Sequence, residues 1–281
     1  MPRYVRLQEL LVGVAGLALL RNLYDGTDQA AAERLDDVRR ILADDSLRAG
    51  ELTSEADART GYGAWSDSYD EPGNPVIALE EPAVGALLEA APAGRALDAA
   101  CGTGRHARRL ASVGHEVTGF DVTPEMLSVA RANVPDATFL DGDLRAIPAD
   151  DATFDLVVCG LALAHLDDLA AGVAELARVT RPGGRLILSV LHPFQALLGW
   201  QAPFAGAGGR RGFVREHPHT HADYLAAFTT AGLQARGCTE PELGEEHVPA
   251  KRRAFRHIPE ATVQAYAGLP AVLVWDIEKT G

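Results

Sequence analysis

The sequence predicts an α/β fold: a doubly wound, mostly parallel, seven-stranded sheet with an antiparallel last strand and an N-terminal helical extension. Three observations predict it. Apolar strand-like runs alternate with helical patterns from residue 96 to 191, as in a parallel sheet covered on both faces. A final apolar run, 271–279, follows a weaker strand around 234–238 with only a long loop, 239–270, between them. Without a helical crossover the last strand turns antiparallel to its neighbours. Two amphipathic stretches stand ahead of residue 50.

Taken in order, the run LLVGVAGLALL at 10–20 lies between Glu9 and Arg21 and is shorter than the ~20 residues a membrane helix needs. Glu9 before it and the acidic stretch 25–45 behind it do not suit a secretory signal. It reads as a soluble helix with Leu7, Leu10, Leu11, Val14, Leu17 and Ala18 along one face. Thr27 and Asp28 cap a second helix lined by Leu35, Val38, Ile41 and Leu42. Residues 51–59 turn polar and form a joint, so the expected division is a hairpin extension, 1–60, and a main domain, 61–281. The hairpin packs on its own domain, or else serves as a lid or a homodimer contact.

Beyond the joint come the strands RALDAA, EVTGFD, ATFL, FDLVVCG and RLILSVL, separated by helices near 105–113, 124–133 and 168–179. Thr123-Pro124-Glu125 supplies an N-cap, a first-turn proline and an early acid, and Thr220 with Asp223 forms a capping box before residues 224–230. Composition narrows the function. With 47% hydrophobic and 23% charged residues among 281, this is an ordinary soluble globular chain. Its 39 acidic against 26 basic residues, a formal charge of −13, disfavour nucleic acid and anionic membrane as partners. The three cysteines lack metal-ligand or disulfide spacing, which fits a reducing cytoplasm, and no metal is expected.

In such sheets ligands bind beyond the carboxyl ends of the strands. Asp98, Asp121 and Asp143 end or follow the first three strands, 23 and 22 residues apart, so they converge on one rim. Two cofactors compete for that rim. Gly102-Thr103-Gly104-Arg105-His106-Ala107 fits the loose G-x-G-x-x-G/A pattern of a nicotinamide dinucleotide site, with Asp121 placed for a ribose. An acid just before the glycine turn would instead repel a pyrophosphate. S-adenosylmethionine carries no phosphate and offers an ammonium, a sulfonium, a ribose diol and an adenine amine.

The segment 96–194 resembles the class I S-adenosylmethionine-dependent methyltransferases. Asp98-x-x-Cys101-Gly102-Thr103-Gly104 is similar to their first motif, Asp121 to the acid closing the second strand, and Gly142-Asp143-Leu144 to the adenine-side motif. Phe154-Asp155-Leu156-Val157-Val158 and Arg181-Pro182-Gly183-Gly184 complete the likeness. The resemblance implies a Rossmann-like domain and S-adenosyl-L-methionine as cofactor. The implied contacts are Asp98 on the ammonium side, Ala100, Cys101, Gly102 and Gly104 along the methionine part, and Asp121 with Val122 at the ribose. Met126, Gly142, Asp143 and Leu144 fall at the adenine, and Gly160 at the end of the fourth strand. Each of these has a plainer reading as a cap, a turn residue or a core side chain.

Tyr62, Trp65 and Tyr69 are spaced for one helical face. Similar segments in related methyltransferases fold over the cofactor; the plainer reading is core packing. Methyl transfer needs alignment and exclusion of water, and a base only if the acceptor must lose a proton. His165 and His192 lie on the cofactor's rim and are the candidates for it, or else are structural. His217, His219 and His221 alternate but enter a helix, which does not suit a metal. The expected partner is a small, partly apolar methyl acceptor, selected by residues 1–50, 195–218 and 239–270, the middle one a mobile cover carrying Trp200, Phe204 and Phe213. A non-methylating protein that keeps the cofactor, a non-catalytic binding module and a dehydrogenase are the rival functions.

Overall fold

The computed structural model describes residues 3–206 and 211–280. In chain order, β1 (Arg3–Arg6), α1 (Leu7–Arg21), α2 (Asp28–Ala43) and β2 (Gly50–Ala56) come first, followed by α3 (Ala58–Trp65) and α4 (Pro75–Glu89). The alternating region gives β3 (Arg95–Ala99), α5 (Arg105–Ser112), β4 (Glu116–Asp121), α6 (Pro124–Asn133), β5 (Thr138–Asp141), β6 (Phe154–Gly160), α7 (Leu169–Val179) and β7 (Thr180–Leu191). It is followed by α8 (Pro193–Leu197), β8 (Ala202–Ala205), β9 (Arg211–Val214), α9 (His221–Thr230) and β10 (Leu233–Thr239). The chain closes with α10 (Arg252–Phe255), α11 (Pro259–Tyr266) and β11 (Val272–Lys279).

Contacts gather the chain into two units, one of residues 1–54, 73–75 and 242–270, the other of 55–72, 76–241 and 271–281. The larger unit holds the expected seven-stranded sheet in the order β10-β11-β7-β6-β3-β4-β5. β5, β4, β3, β6 and β7 run parallel, and β11 is antiparallel to both β7 and β10. Strands buried on both faces must be continuously apolar, and Leu156, Val157, Val158 and Cys159 of β6 are each at most 1% exposed. Leu97, Phe120, Leu176, Leu188, Phe228 and Trp275 belong to one core cluster, so strands and covering helices share it. β3 has β4 on one side and β6 on the other, so the crossovers reverse direction there. That places a crevice at the carboxyl ends of β3 and β6.

Local chemistry explains the boundaries. Asp168 caps α7 by accepting from the Ala171 amide at 3.1 Å, and the expected Thr220–Asp223 capping box is formed in both directions. Pro124 opens α6, although the Thr123 hydroxyl makes no capping bond. The expected turn at 181–184 lies inside β7: the β6 register jumps from Phe154↔Thr180 to Leu156↔Arg185, and Gly183 at φ +72° absorbs the bulge.

The smaller unit departs further from expectation. Of the expected face of α1, Leu11, Val14 and Ala18 are buried, together with Ala15, while Leu7, Leu10 and Leu17 are half-buried. In α2 the buried residues are Arg34 and Ile41, while Leu35 and Leu42 are about half exposed. Arg34 is buried because Asp37 accepts from its Nε at 2.9 Å and Gln264 from its Nη1 at 3.0 Å. Residues 50–56, expected as a polar joint, form a strand paired antiparallel with β1 from Arg6↔Gly50 to Arg3↔Thr53. The expected loop 239–270 contains α10, a single turn, and α11, whose buried Ala261, Thr262 and Ala265 are too small-sided to extend Tyr266 into a hydrophobic stripe. Part of the expected cover at 195–218 is an antiparallel pair, β8 with β9; residues 207–210 lie outside the described residues. Among the described residues no helix is long and apolar enough to cross a membrane.

Candidate active site

Three left-handed residues turn the chain out of β3 and into α5: Ala100 at φ +55°, Gly102 at +53° and Gly104 at +81°. The turn is pinned to β4, because Cys101 donates its amide to the Phe120 carbonyl at 2.9 Å. The two glycines serve different ends. A Cβ on Gly102 would meet nothing within 4 Å, whereas one on Gly104 would press on Ala130 at 3.3 Å. Gly102 keeps space open, and Gly104 lets α5 pack against α6.

Asp121 closes β4 beside this turn. Its Oδ2 accepts the Gly102 amide and its Oδ1 the Thr123 amide, both at 2.8 Å. Burial pushes its pKa up, and these backbone donors pull it back down. A carboxylate offers about four acceptor sites, so one on each oxygen remains for a ligand. Asp98 is placed differently. Only 1% exposed, it accepts the Ala107 amide of α5 at 2.8 Å and lies under the turn, off the cavity wall. Burial raises its pKa to about 6 against the pull of His106 and the Ala107 amide.

The crevice is a cavity of about 400 Å³, within the usual range for a small-molecule site. Ala100, Gly102, Asp121, Val122 and Met126 form one wall. Gly142, Asp143, Leu144, Gly160 and His165 also line the cavity. Tyr62 and Tyr69 complete it. Trp65 is behind them, stacked on Tyr62 with centroids 5.9 Å apart and meeting Tyr69 edge-on at 5.2 Å. The aromatic segment is fastened to the glycine turn, where Thr103 donates its hydroxyl to Asp70 at 2.9 Å. Cys101 is off the cavity wall, its thiol 3.2 Å from where a Cβ on Gly119 would stand, and burial raises its pKa far above the usual thiol range.

Asp143 is engaged already. Arg145 donates its amide, Nε and Nη2 to this carboxylate at 2.8, 2.9 and 2.6 Å, which holds its pKa down. His165 lines the cavity and faces three groups. Its Nδ1 is 2.7 Å from the Arg215 carbonyl, which fixes the proton there, so Nε2 accepts from the Tyr62 hydroxyl, also at 2.7 Å. Burial lowers its pKa. Glu216 Oε1 stands 3.8 Å from the same Nε2. His192 is away from the cavity. Its Nδ1 accepts the Phe194 amide at 3.2 Å, leaving Nε2–H to donate to Glu240 at 2.9 Å. His221 reaches the same Glu240 oxygen at 2.8 Å. These three side chains are close enough to share an ion, yet the His192 tautomer makes them a hydrogen-bond network.

Sequence reasoning missed several wall residues: Asp57, Arg59, Phe120, Thr123, Arg145, Leu161 and Asp167. Thr123 and Leu161 follow strand ends and were within reach of the strand-end rule. Leu161, with φ +56°, marks a second strained turn in the cavity lining. A buried network behind Gly160 also escaped notice. Glu80, fully buried in α4, accepts from Arg105 at 2.6 Å, His106 at 2.9 Å and Ser189 at 2.7 Å. A Cβ on Gly160 would come within 2.6 Å of His106 Nε2.

Residues 97–188, which run from β3 into β7, match the family model described as a methyltransferase domain. A demethylmenaquinone methyltransferase of Chlorobaculum tepidum is 42% identical over 104 residues, 36% of this chain and 43% of that protein. A malonyl-[acyl-carrier protein] O-methyltransferase of Erwinia pyrifoliae is 43% identical over 108 residues, 37% of this chain and 41% of that protein. The chain thus spans less than half the length of these curated relatives. A crystal structure of an S-adenosylmethionine-dependent methyltransferase from Mesorhizobium loti superposes with a TM-score of 0.54 at 25% identity, covering 73% of this chain and all of that one. The strand order, the glycine turn and the amide-held acid of β4 all agree with this, and residues 97–188 form a domain of the class I S-adenosylmethionine-dependent methyltransferase family.

Proposed function

We propose that this protein transfers a methyl group from S-adenosylmethionine to a small, partly apolar acceptor. The observation that carries the reading is Asp121, a buried carboxylate held by two amides on the wall of a cavity whose glycine turn leaves space open. A ribose diol has the two donors such a carboxylate requires. Arg105, the cation beside the glycine turn, is taken up by Glu80, so this side chain is not free to meet a pyrophosphate. That disfavours a dinucleotide.

In this reading Gly102 and Ala100 admit the methionine part against bare backbone, with Asp98 and Cys101 beneath and Gly104 setting the start of α5. Asp121 and Val122 hold the ribose. Met126, Gly142 and Leu144 enclose the adenine, and Asp143 or the Leu144 backbone reads its edge. Tyr62 and Tyr69, backed by Trp65, present aromatic faces to a cation. The bound cofactor supplies an electrophilic methyl on a sulfonium. The protein's part is to align an acceptor with it, exclude water and receive any proton released, for which His165 is the placed base. The relatives are named for unlike acceptors, demethylmenaquinone and malonyl-[acyl-carrier protein], while each is more than 40% identical to this chain over about a hundred residues. Acceptor choice therefore rests with residues outside the matched segment 97–188.

Two measurements test this. Calorimetry should show S-adenosylhomocysteine binding and no binding of reduced nicotinamide dinucleotide. Transfer of label from [methyl-14C]S-adenosylmethionine should be found among small phenols, amines and carboxylic acids. Binding of the nicotinamide instead would end the proposal.

A further inference from the structure

Glu216 is the one feature beside the cavity that cofactor binding leaves unexplained. It follows β9, is 9% exposed, and its Oε2 makes no hydrogen bond. Among the described residues no Lys or Arg pairs with it: the neighbouring Arg215 side chain is turned away to Glu55, with Nε 2.7 Å from that carboxylate. The titratable groups that face it are His165, Tyr62 and Tyr224. A buried carboxyl without a partner costs stability, so its presence calls for a reason.

The geometry supplies one. Tyr62 reaches the cavity, its hydroxyl donates to His165 Nε2, the far nitrogen of that ring is fixed on a carbonyl, and Glu216 Oε1 stands 3.8 Å from the nitrogen that would become charged. We infer that Tyr62, His165 and Glu216 form a proton relay, and that the acceptor carries its nucleophile as an O–H or N–H group. This rests on the methyltransferase reading above.

The step balances. The acceptor's X–H proton passes to the Tyr62 oxygen while the Tyr62 hydroxyl proton passes to His165 Nε2. The X lone pair forms the bond to the methyl carbon as the carbon–sulfur bond breaks, and that electron pair stays on sulfur. What results is the methylated acceptor, the thioether and an imidazolium at His165. Tyr62 is not required to become a free phenolate, which its burial opposes by raising its pKa. Glu216 touches neither substrate nor reacting atoms; it is a positioning residue that compensates the imidazolium. Its own pKa is raised to about 8 by burial, so the relay gains its counter-charge as pH climbs through that value.

The test uses the full chain saturated with S-adenosylhomocysteine and reads the histidine 15N–1H spectrum across pH. His165 is expected as the Nδ1–H tautomer, with its Nε2 shift following a titration near pH 8 that disappears in Glu216→Gln. An Nε2–H tautomer, or the same titration in Glu216→Gln, overturns the relay. S-adenosylhomocysteine affinity should be unchanged in Glu216→Gln. Failure of the wild-type protein to bind it would instead sink the methyltransferase reading, so the two failures are distinguishable.

Kinetics provides the second arm, with the phenols and amines of the transfer screen as acceptors. General-base catalysis contributes about 10²- to 10⁴-fold, so His165→Ala and Tyr62→Phe should lose kcat on that scale. Imidazole should partly restore His165→Ala. Glu216→Gln should lose the rise in kcat toward pH 8 with KM unchanged. Transfer confined to carboxylic acids, which need no base, or a Glu216→Gln profile like the wild type's, overturns the inference.

Discussion

Replacing Asp121 by Ala tests the site at its centre. The side chain presents one remaining acceptor site on each of two oxygens, since the Gly102 and Thr123 amides occupy the others at 2.8 Å. A hydrogen bond to a charged acceptor contributes about 1.5–3 kcal/mol, so two ribose hydroxyls sum to about 3–6 kcal/mol. At about 1.4 kcal/mol per tenfold, S-adenosylhomocysteine should bind roughly 10²- to 10⁴-fold more weakly. The same change strips the partner from two backbone amides, each costing about 1–3 kcal/mol when buried. Water entering from the cavity moves that penalty toward its lower end. Calorimetric titration gives the affinity, and urea unfolding shows whether the variant is folded at the assay temperature. Asp121→Asn is the control: its single carbonyl oxygen can still serve one amide, so its loss of affinity should be intermediate. A folded Asp121→Ala that binds S-adenosylhomocysteine within about threefold of the wild type would refute the ribose assignment.

Gly102→Ala should cost little stability, about 1 kcal/mol for a side chain at φ +53° in open space, yet weaken S-adenosylhomocysteine binding markedly, because the new methyl stands where ligand must approach backbone. Paired urea melts and titrations separate the two effects. Burial pushes the Glu80 pKa up, but His106 and Arg105 outweigh it and bring it to about 2, below the ordinary 4.5. The stability it contributes is therefore present above pH 4.5 and lost as pH falls toward 2, and Glu80→Gln should destabilise at neutral pH by about 3–5 kcal/mol while flattening the acid limb of a Tm-against-pH curve. Glu216 has the opposite sign. Raised to about 8 from 4.5, it favours the folded state fully below 4.5 and loses that contribution as pH rises through 8. The wild-type Tm should decline from about pH 4.5 to 8, and Glu216→Gln should abolish that decline.

The parallel sheet was legible because buried strands must be apolar throughout and the helices between them must not be. Asp121, Gly102, Met126 and Leu144 were legible because each follows a strand end in a motif. Asp98 shares the motif but faces inward, where the Ala107 amide claims it; sequence spacing gives the rim and not the direction of a side chain. Arg34 was invisible as a buried residue, since its burial depends on Gln264, some 230 positions away. α10 and α11 were missed because alanine and threonine carry the buried face of α11. Glu216 was missed for a related reason. A single acid after a short strand carries no pattern, and only the fold brings it to within 3.8 Å of His165.

The excursion between β10 and β11 leaves and returns through one narrow doorway. Ala271 donates its amide to the Pro241 carbonyl at 2.9 Å, and the next residues inward, Glu242 and Pro270, are bridged. Because the neighbouring strands run in opposite directions, their ends already lie side by side whatever the intervening residues do. The length of 242–270 can therefore vary without moving the register of the sheet, provided that Gln264 still meets Arg34. A chain of this topology can thus accept insertions there while the parallel strands that carry the glycine turn and Asp121 stay as they are.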